Sequence, residues 1–329
     1  MRILLVSILA LHITLFSAGC GEVTYPKETL RESIIELCKE EYDIEVDVNI
    51  IGETLAIFLP LPSLLDVSLG LSDHAQDKIQ NVLLGASRVT LSTDARIKFY
   101  CVIAQDVRLP EIQMIIIKYV DDIKRAFYND ISRGEYFKRT IIDINENPQS
   151  KKEQAITGVF SKMQLDEDMR EKVLDDFFRS PPSSMEGIGY WNGKFYIKDI
   201  TIEEFLAQQM ANRIKTEFRE EESLKKYVIK SITGKFMVEK GVKIFAVDFN
   251  EETFLFIYDP IEKTAIREEI FKNMFEEISD VIYAYKFENF NLIKAVEANT
   301  DTKLFVSRED LYLFKQRKLP IDTILGAIQ

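Results

Sequence analysis

The sequence predicts an α+β fold of two units, each with the order helix, strand, strand, helix, strand, strand. Three patterns indicate this fold. Apolar residues recur at helical spacing in residues 27–42, and apolar and acidic residues alternate at strand spacing in residues 44–51. Asn192-Gly193 between aromatic residues is a strong short signal for a β-hairpin. In each unit, this order favours an antiparallel sheet with helices on one face.

The first α+β domain is predicted to span residues 29–145. Gly52-Glu53 forms a tight turn between its first two strands. Ser132 and Glu135 have capping-box spacing, which favours a helix after them. A strand, turn, strand interpretation of residues 115–130 stays open. The predicted elements are helix 27–42, strands 44–51 and 54–59, helix 72–87, strands 97–105 and 111–119, and helix 133–142.

Residues 146–200 are predicted to join the units as a helical linker followed by an aromatic hairpin. Two helices, near 152–162 and 166–178, precede a proline-containing break at 179–184. The hairpin 190–196 then leads to the second α+β domain, residues 201–329.

The second domain opens with a capping box formed by Thr201 and Glu204, which starts a helix to about residue 226. Its later elements are strands 227–238 and 242–249 around a turn at Lys240-Gly241, a short strand 253–258, helix 264–278, strands 280–288 and 291–298, a short strand 303–306 and a helix 320–328. The shared order suggests an internal duplication. Convergence on a common order is the alternative, and matching strand order in the two units is the test.

The N-terminus has the three parts of a secretory signal. Met1-Arg2 gives a positive start, residues 3–16 are apolar, and Ser17-Ala18-Gly19 supplies small residues before Cys20. The apolar run is too short for a membrane-spanning helix, which needs about 20 residues. The segment that ends at Gly19-Cys20 resembles the lipobox of bacterial lipoproteins.

That resemblance covers residues 1–20 only and implies three things. Residues 1–19 are a cleaved signal peptide, the Cys20 thiol carries lipid, and residues 20–28 are a tether. The implied localisation is the bacterial cell envelope. It leans towards the outer membrane facing the periplasm, because Gly21 is not the aspartate that marks inner-membrane retention in this family. A conventional cleavage site beside an ordinary cysteine, and an uncleaved anchor, are the alternatives.

Lipidation of Cys20 would leave Cys38 and Cys101 as an even pair in an exported compartment. Both are expected to face a core, Cys38 from a helix and Cys101 from a strand. A disulfide between them is one interpretation. Two buried free cysteines that behave as small hydrophobic residues are the other.

Composition and charge exclude several classes of partner. The chain has 46% hydrophobic and 29% charged residues, which is typical of folded globular proteins. Its formal net charge of −12, without a basic stripe, argues against nucleic-acid binding and against electrostatic docking on anionic lipid. We therefore expect membrane contact through the N-terminal lipid alone.

The sequence nominates no catalytic, cofactor-binding or metal-ligating residue. Only His74 remains after removal of the signal, so His-based triads and zinc sets with several histidines are excluded within one chain. There is no phosphate-binding loop, and Gly187-Ile188-Gly189 is only a fragment of a dinucleotide fingerprint. No cofactor is expected.

One surface stands out for binding: the aromatic residues Tyr190, Trp191, Phe195 and Tyr196 of the hairpin. They could equally pack on their own domain. The leading hypothesis is a noncatalytic, membrane-anchored envelope lipoprotein that binds a protein partner or serves in assembly. A carboxylate-based hydrolase acting on wall or surface polysaccharide and a small-ligand carrier are the alternatives.

Overall fold

A computed structural model describes residues 24–68, 70–163, 185–252 and 259–328. It confirms the α+β class. Several predicted features lie outside the described residues: the signal peptide with Cys20, the helix 166–178, the break at 179–184 and the strand 253–258.

The first unit is a five-stranded sheet with strand order β1-β2-β3-β4-β5. The elements in chain order are α1 Leu30–Tyr42, β1 Asp47–Ile51, β2 Thr54–Leu61, α2 Asp73–Leu91, β3 Phe99–Asp106, β4 Leu109–Tyr119, α3 Val120–Phe127, α4 Arg133–Lys138 and β5 Ile141–Glu146. Neighbouring strands are antiparallel except β2 and β3, which are parallel. Helix α2 makes the crossover that a parallel pair requires.

The segment after β4 departs from the prediction. Residues 120–127 form α3, so the strand, turn, strand interpretation is wrong. Ser132 caps α4 through its side chain, as its spacing indicated, but this helix ends at Lys138 and not at residue 142. Residues 141–146 form β5 instead, because pairing with β4 buries Ile141 in the core.

The connecting segment contains a helix and the predicted hairpin. Its elements are α5 Pro148–Met163, a 3-10 turn Met185–Gly187, β6 Gly189–Trp191 and β7 Lys194–Tyr196. Asn192 and Gly193 both have positive φ, 48° and 75°, as a type I′ turn requires.

The second unit is a four-stranded sheet with order β11-β10-β9-β8. Its elements are α6 Ile202–Glu220, β8 Ile229–Glu239, β9 Val242–Glu251, α7 Pro260–Tyr285, β10 Leu292–Glu297, β11 Thr302–Ser307, α8 Arg308–Lys315 and α9 Ile321–Leu325. The capping box of Thr201 and Glu204 is present at the start of α6.

Two predictions for this unit are wrong. Residues 280–285 belong to α7 and not to a strand, since Ile278, Val281 and Ile282 are buried at helical spacing. The last strand pair is therefore β10 with β11, and α8 follows where no helix was predicted.

The two units share one topology. In each, a helix precedes an antiparallel strand pair, and a second helix crosses over to a strand that is parallel to the pair and followed by another antiparallel strand. Each of these two sheets is thus mixed, whereas a purely antiparallel sheet was predicted. The duplication hypothesis passes the strand-order test, because β1-β2-β3-β4 corresponds to β8-β9-β10-β11.

The elements stack as alternating helical and sheet layers. Alternate residues of β3 face opposite sides: Tyr100 and Val102 pack in the core with α1 and α2, while Phe99 and Cys101 pack in the core with α6. The second core continues through α7 to the inner face of the second sheet. The first unit therefore carries its own helices α1 and α2 on one face of its sheet, as predicted, and α6 of the second unit covers the other face.

No helix within the described ranges combines the length and the apolarity needed to cross a membrane.

Candidate functional site

The two units meet at a cleft of about 720 Å³, which we call the inter-unit cleft. One wall is the β4–β5 side of the first sheet, and the other is the start of β8 with the C-terminal end of α6. Its apolar lining includes Ile115, Ile117, Ile141, Met185, Ile188, Phe218, Ile229 and Ile232. This volume lies within the range of about 300–1,000 Å³ that is usual for small-molecule pockets.

The carboxylates that line the cleft are held by lysines. Lys215 Nζ lies 3.5 Å from Asp143 Oδ1, and Lys151 Nζ lies 3.0 Å from Glu146 Oε2. Because Asp143 and Glu146 are three residues apart on one strand, their side chains leave opposite faces of it. These two carboxylates therefore do not face each other as a glycosidase pair would.

A cluster of buried amides attaches the aromatic hairpin to the first sheet. Gln113 donates to the Tyr190 carbonyl oxygen and accepts from the Tyr190 N–H at 3.2 Å. Asn147 donates to the same carbonyl oxygen at 2.9 Å, and Gln149 donates to that of Gly187 at 3.0 Å. A Cβ on Gly189 would lie 2.7 Å from Gln149 Oε1, so only glycine fits here without a shift.

The hairpin rings contact their own chain. Tyr190 stacks on Phe58 with ring centroids 3.7 Å apart, and its hydroxyl donates to Asp47 at 3.2 Å. The Trp191 indole N–H donates to Glu153, and Phe195 packs edge-on against Tyr190. Tyr196 is buried. Of the four aromatic residues proposed as a binding surface, Tyr190, Trp191 and Phe195 are thus only partly exposed.

The two remaining cysteines lie on opposite sides of the first sheet. Cys38 packs in the core of α1 and α2, and Cys101 packs in the core that contains α6. Both thiols are free and buried, and the sheet separates them, so they form no disulfide with each other. Burial raises the pKa of Cys38 to about 11 and raises that of Cys101 further. Both are therefore thiols at neutral pH.

A buried ionic network joins the two units. Arg139 Nη1 donates to Asp122 at 2.7 Å, and Arg139 Nε donates to Glu135 at 2.7 Å. Arg213 of α6 donates to Glu135 at 2.9 Å, and the hydroxyl of Tyr285 in α7 donates to Asp122. The network thus connects α3 and α4 of the first unit with both long helices of the second.

No sequence pattern indicates this network, because its members are far apart along the chain and resemble ordinary surface charges. Asp122 and Arg139 are only 2% and 4% exposed. Burial raises the pKa of the Asp122 carboxyl, while the Tyr285 hydroxyl and the Arg139 guanidinium act in the opposite direction.

A second depression, of about 630 Å³, runs beside β5, and we call it the edge trough. It is lined by Phe137, by Ile142, Asp143 and Ile144 of β5, and by polar residues of α6. Glu217 and Glu277 also line it. Burial raises the pKa of Glu277, and the negative charge of Glu217 adds to this effect.

His74, the one histidine outside residues 1–19, is exposed in the first turn of α2. Within the described residues, no three histidine, cysteine or acidic side chains lie together as metal ligands would. Cys20, the proposed lipidation site, lies outside the described residues.

No protein-family model, no curated protein and no solved structure matches this chain.

Proposed function

We propose that the protein is a lipoprotein of the bacterial cell envelope, anchored through lipid on Cys20, and that it acts as a noncatalytic module that binds a protein partner. The anchor rests on the signal-like residues 1–19 and the Gly19-Cys20 junction. Two or three acyl chains on one cysteine would give a stable anchor, which a single chain would not.

The start of the folded body is close to this anchor. The Tyr25 N–H already donates to the Ser92 carbonyl oxygen at 3.3 Å, and the Lys27 N–H donates to Asp94 at 2.7 Å. Five residues of fully extended chain span at most about 18 Å. Anchoring at Cys20 would therefore hold the start of α1 and the end of α2 near the membrane, and the tether would be shorter than residues 20–28.

The binding role is carried by one observation, the inter-unit cleft. Its floor is built from buried isoleucine and phenylalanine side chains, while its carboxylates Asp143, Glu146 and Glu186 are each within 4 Å of a lysine. An apolar floor with a polar rim is the arrangement of a binding site. Ion-paired carboxylates on that rim favour recognition over acid–base chemistry.

Affinity capture after chemical crosslinking in the native envelope tests the proposal. We expect a specific protein partner to be captured, and Ser231→Trp to reduce its yield, because Ser231 is exposed and lines the cleft. Val238→Trp is the matched control, since Val238 is exposed on the same strand but does not line the cleft. Capture of no partner, together with turnover of wall polysaccharide by the purified protein, would refute the proposal and favour the hydrolase.

A small-ligand carrier is the second candidate, and the size and apolar lining of the same cleft favour it. Native mass spectrometry of the purified protein separates the two candidates. A bound small molecule that Ser231→Trp removes and Val238→Trp retains would support the carrier. A partner captured through the cleft, with no small molecule bound, would exclude it.

A further inference from the structure

The outer edge of β5 presents main-chain groups that the first sheet does not use. The Asn147 N–H donates to the Glu111 carbonyl oxygen, and the register places residue 147 opposite residue 111. Hydrogen-bonded pairs alternate along an antiparallel ladder. The N–H and C=O groups of Ile142, Ile144 and Glu146 therefore point away from β4. In the part of the chain that the structure describes, no strand pairs with this edge.

The edge trough lies along these groups. Consecutive residues 142–144 line it, although their side chains alternate between the two faces of the sheet, so the trough borders the edge of the strand. Its opposite side is α6, through Asn212, Lys215, Thr216 and Arg219. The trough thus has room beside β5 and a helix against which a further strand could rest.

Apolar side chains are concentrated at the same place. Phe137 is 70% exposed, Ile142 is 40% exposed and Ile144 is 45% exposed, and all three line the trough. An exposed strand edge with isoleucines is a known liability, because it can pair with another chain. An extended segment of a partner protein that pairs with this edge would remove the liability and cover the exposed isoleucines.

We propose that the edge trough binds an extended segment of a partner protein, which adds as a sixth strand beside β5. The occupant is a polypeptide because alternating N–H and C=O groups at strand spacing are complementary to another extended main chain. Its side chains would alternate. Apolar ones would pack against Ile142 and Ile144, and polar ones would face α6. This inference names the partner class and rests on the proposed interaction role.

A second copy of this chain is a less suitable occupant. Antiparallel pairing of β5 with β5 of another copy would place both α6 helices on the same face of the joined sheet. Since α6 lines the trough, the second α6 would have to fit beside it on that face. A single extended segment requires no such space.

Site-specific photocrosslinking of the full chain in the native envelope is the first test. A photoreactive phenylalanine analogue replaces Phe137, and the matched control replaces Phe127, which is equally exposed at 72% but does not line the trough. We expect an adduct from position 137 alone, mapped to one segment of the partner. Ile144→Pro should lower its yield about tenfold or more, because proline removes an outward N–H and is tolerated at sheet edges.

Amide hydrogen exchange is the second test, with a synthetic peptide of the crosslinked segment as the probe. We expect the peptide to slow exchange at Ile142 and Ile144 by about tenfold or more, with no change near Phe127. Phe137→Ser is the substitute variant if Ile144→Pro does not fold. It leaves the strand intact, and we expect it to weaken the slowing of exchange at Ile142 and Ile144. Three results would overturn the inference: equal adducts from positions 137 and 127, an adduct with a second copy of this chain, or unchanged amide exchange at β5. If chemical crosslinking still captures a partner in that case, the proposed function stands; if it captures none, both fail.

Discussion

Replacing Asp122 by alanine is expected to lower the free energy of unfolding by about 3–5 kcal/mol, the usual effect of removing one partner of a buried ion pair. Among the described residues, the variant leaves the buried guanidinium of Arg139 with Glu135 as its one anionic partner. It also removes the carboxylate that accepts from the Tyr285 hydroxyl. Because this network joins the two units, both should lose stability together. Urea unfolding monitored by circular dichroism measures the change.

Asp121→Ala is the control for this prediction. Asp121 is the adjacent residue, and it pairs with Lys124 at 2.9 Å while about half of each side chain is exposed. Exposed ion pairs contribute about 0–1 kcal/mol. Equal losses in the two variants, or a loss below about 1 kcal/mol for Asp122→Ala, would show that the network does not hold the units together.

Gly234→Ala is expected to destabilise the protein strongly although it adds a single methyl group. We expect the free energy of unfolding to fall by about 3 kcal/mol or more, or the cooperative unfolding transition to be lost. A Cβ on Gly234 would lie 1.8 Å from the main-chain oxygen of Ala207 in α6. Main chain cannot move aside as a flexible side chain can, so α6 would have to shift away from β8. Differential scanning calorimetry measures the result.

Gly158→Ala is the matched control, because a Cβ there meets nothing within 4 Å. Gly158 lies within α5, where alanine is favoured over glycine by about 1 kcal/mol. We expect unchanged or raised stability. A Gly234→Ala protein that unfolds at the same temperature as the parent would contradict the close packing of α6 on β8.

Local chemistry allowed much of the fold to be predicted from sequence. The capping box of Thr201 and Glu204 and the turn at Asn192-Gly193 are encoded within a few residues, and both are present. The order of helices and strands was also correct through β4, because alternation and helical spacing are strong there.

The failures occurred where distant contacts decide the structure. Residues 280–285 are rich in aliphatic and aromatic residues that also favour strands, but burial of Val281 and Ile282 in the shared core extends α7 through them. Strand β5 depends on pairing with β4, which a local pattern does not reveal. The same applies to the candidate sites, since the cleft and the trough are assembled from segments far apart in the chain.

The proposed anchor requires that the mature protein begins at Cys20 and carries lipid there. Mass spectrometry of the N-terminal peptide from the membrane fraction measures both features. We predict a peptide that starts at Cys20 with a diacylglyceryl group on the thiol, and a Cys20→Ser precursor that loses acyl labelling and membrane retention. An unmodified Cys20, or a mature N-terminus at any other residue, would contradict the claim.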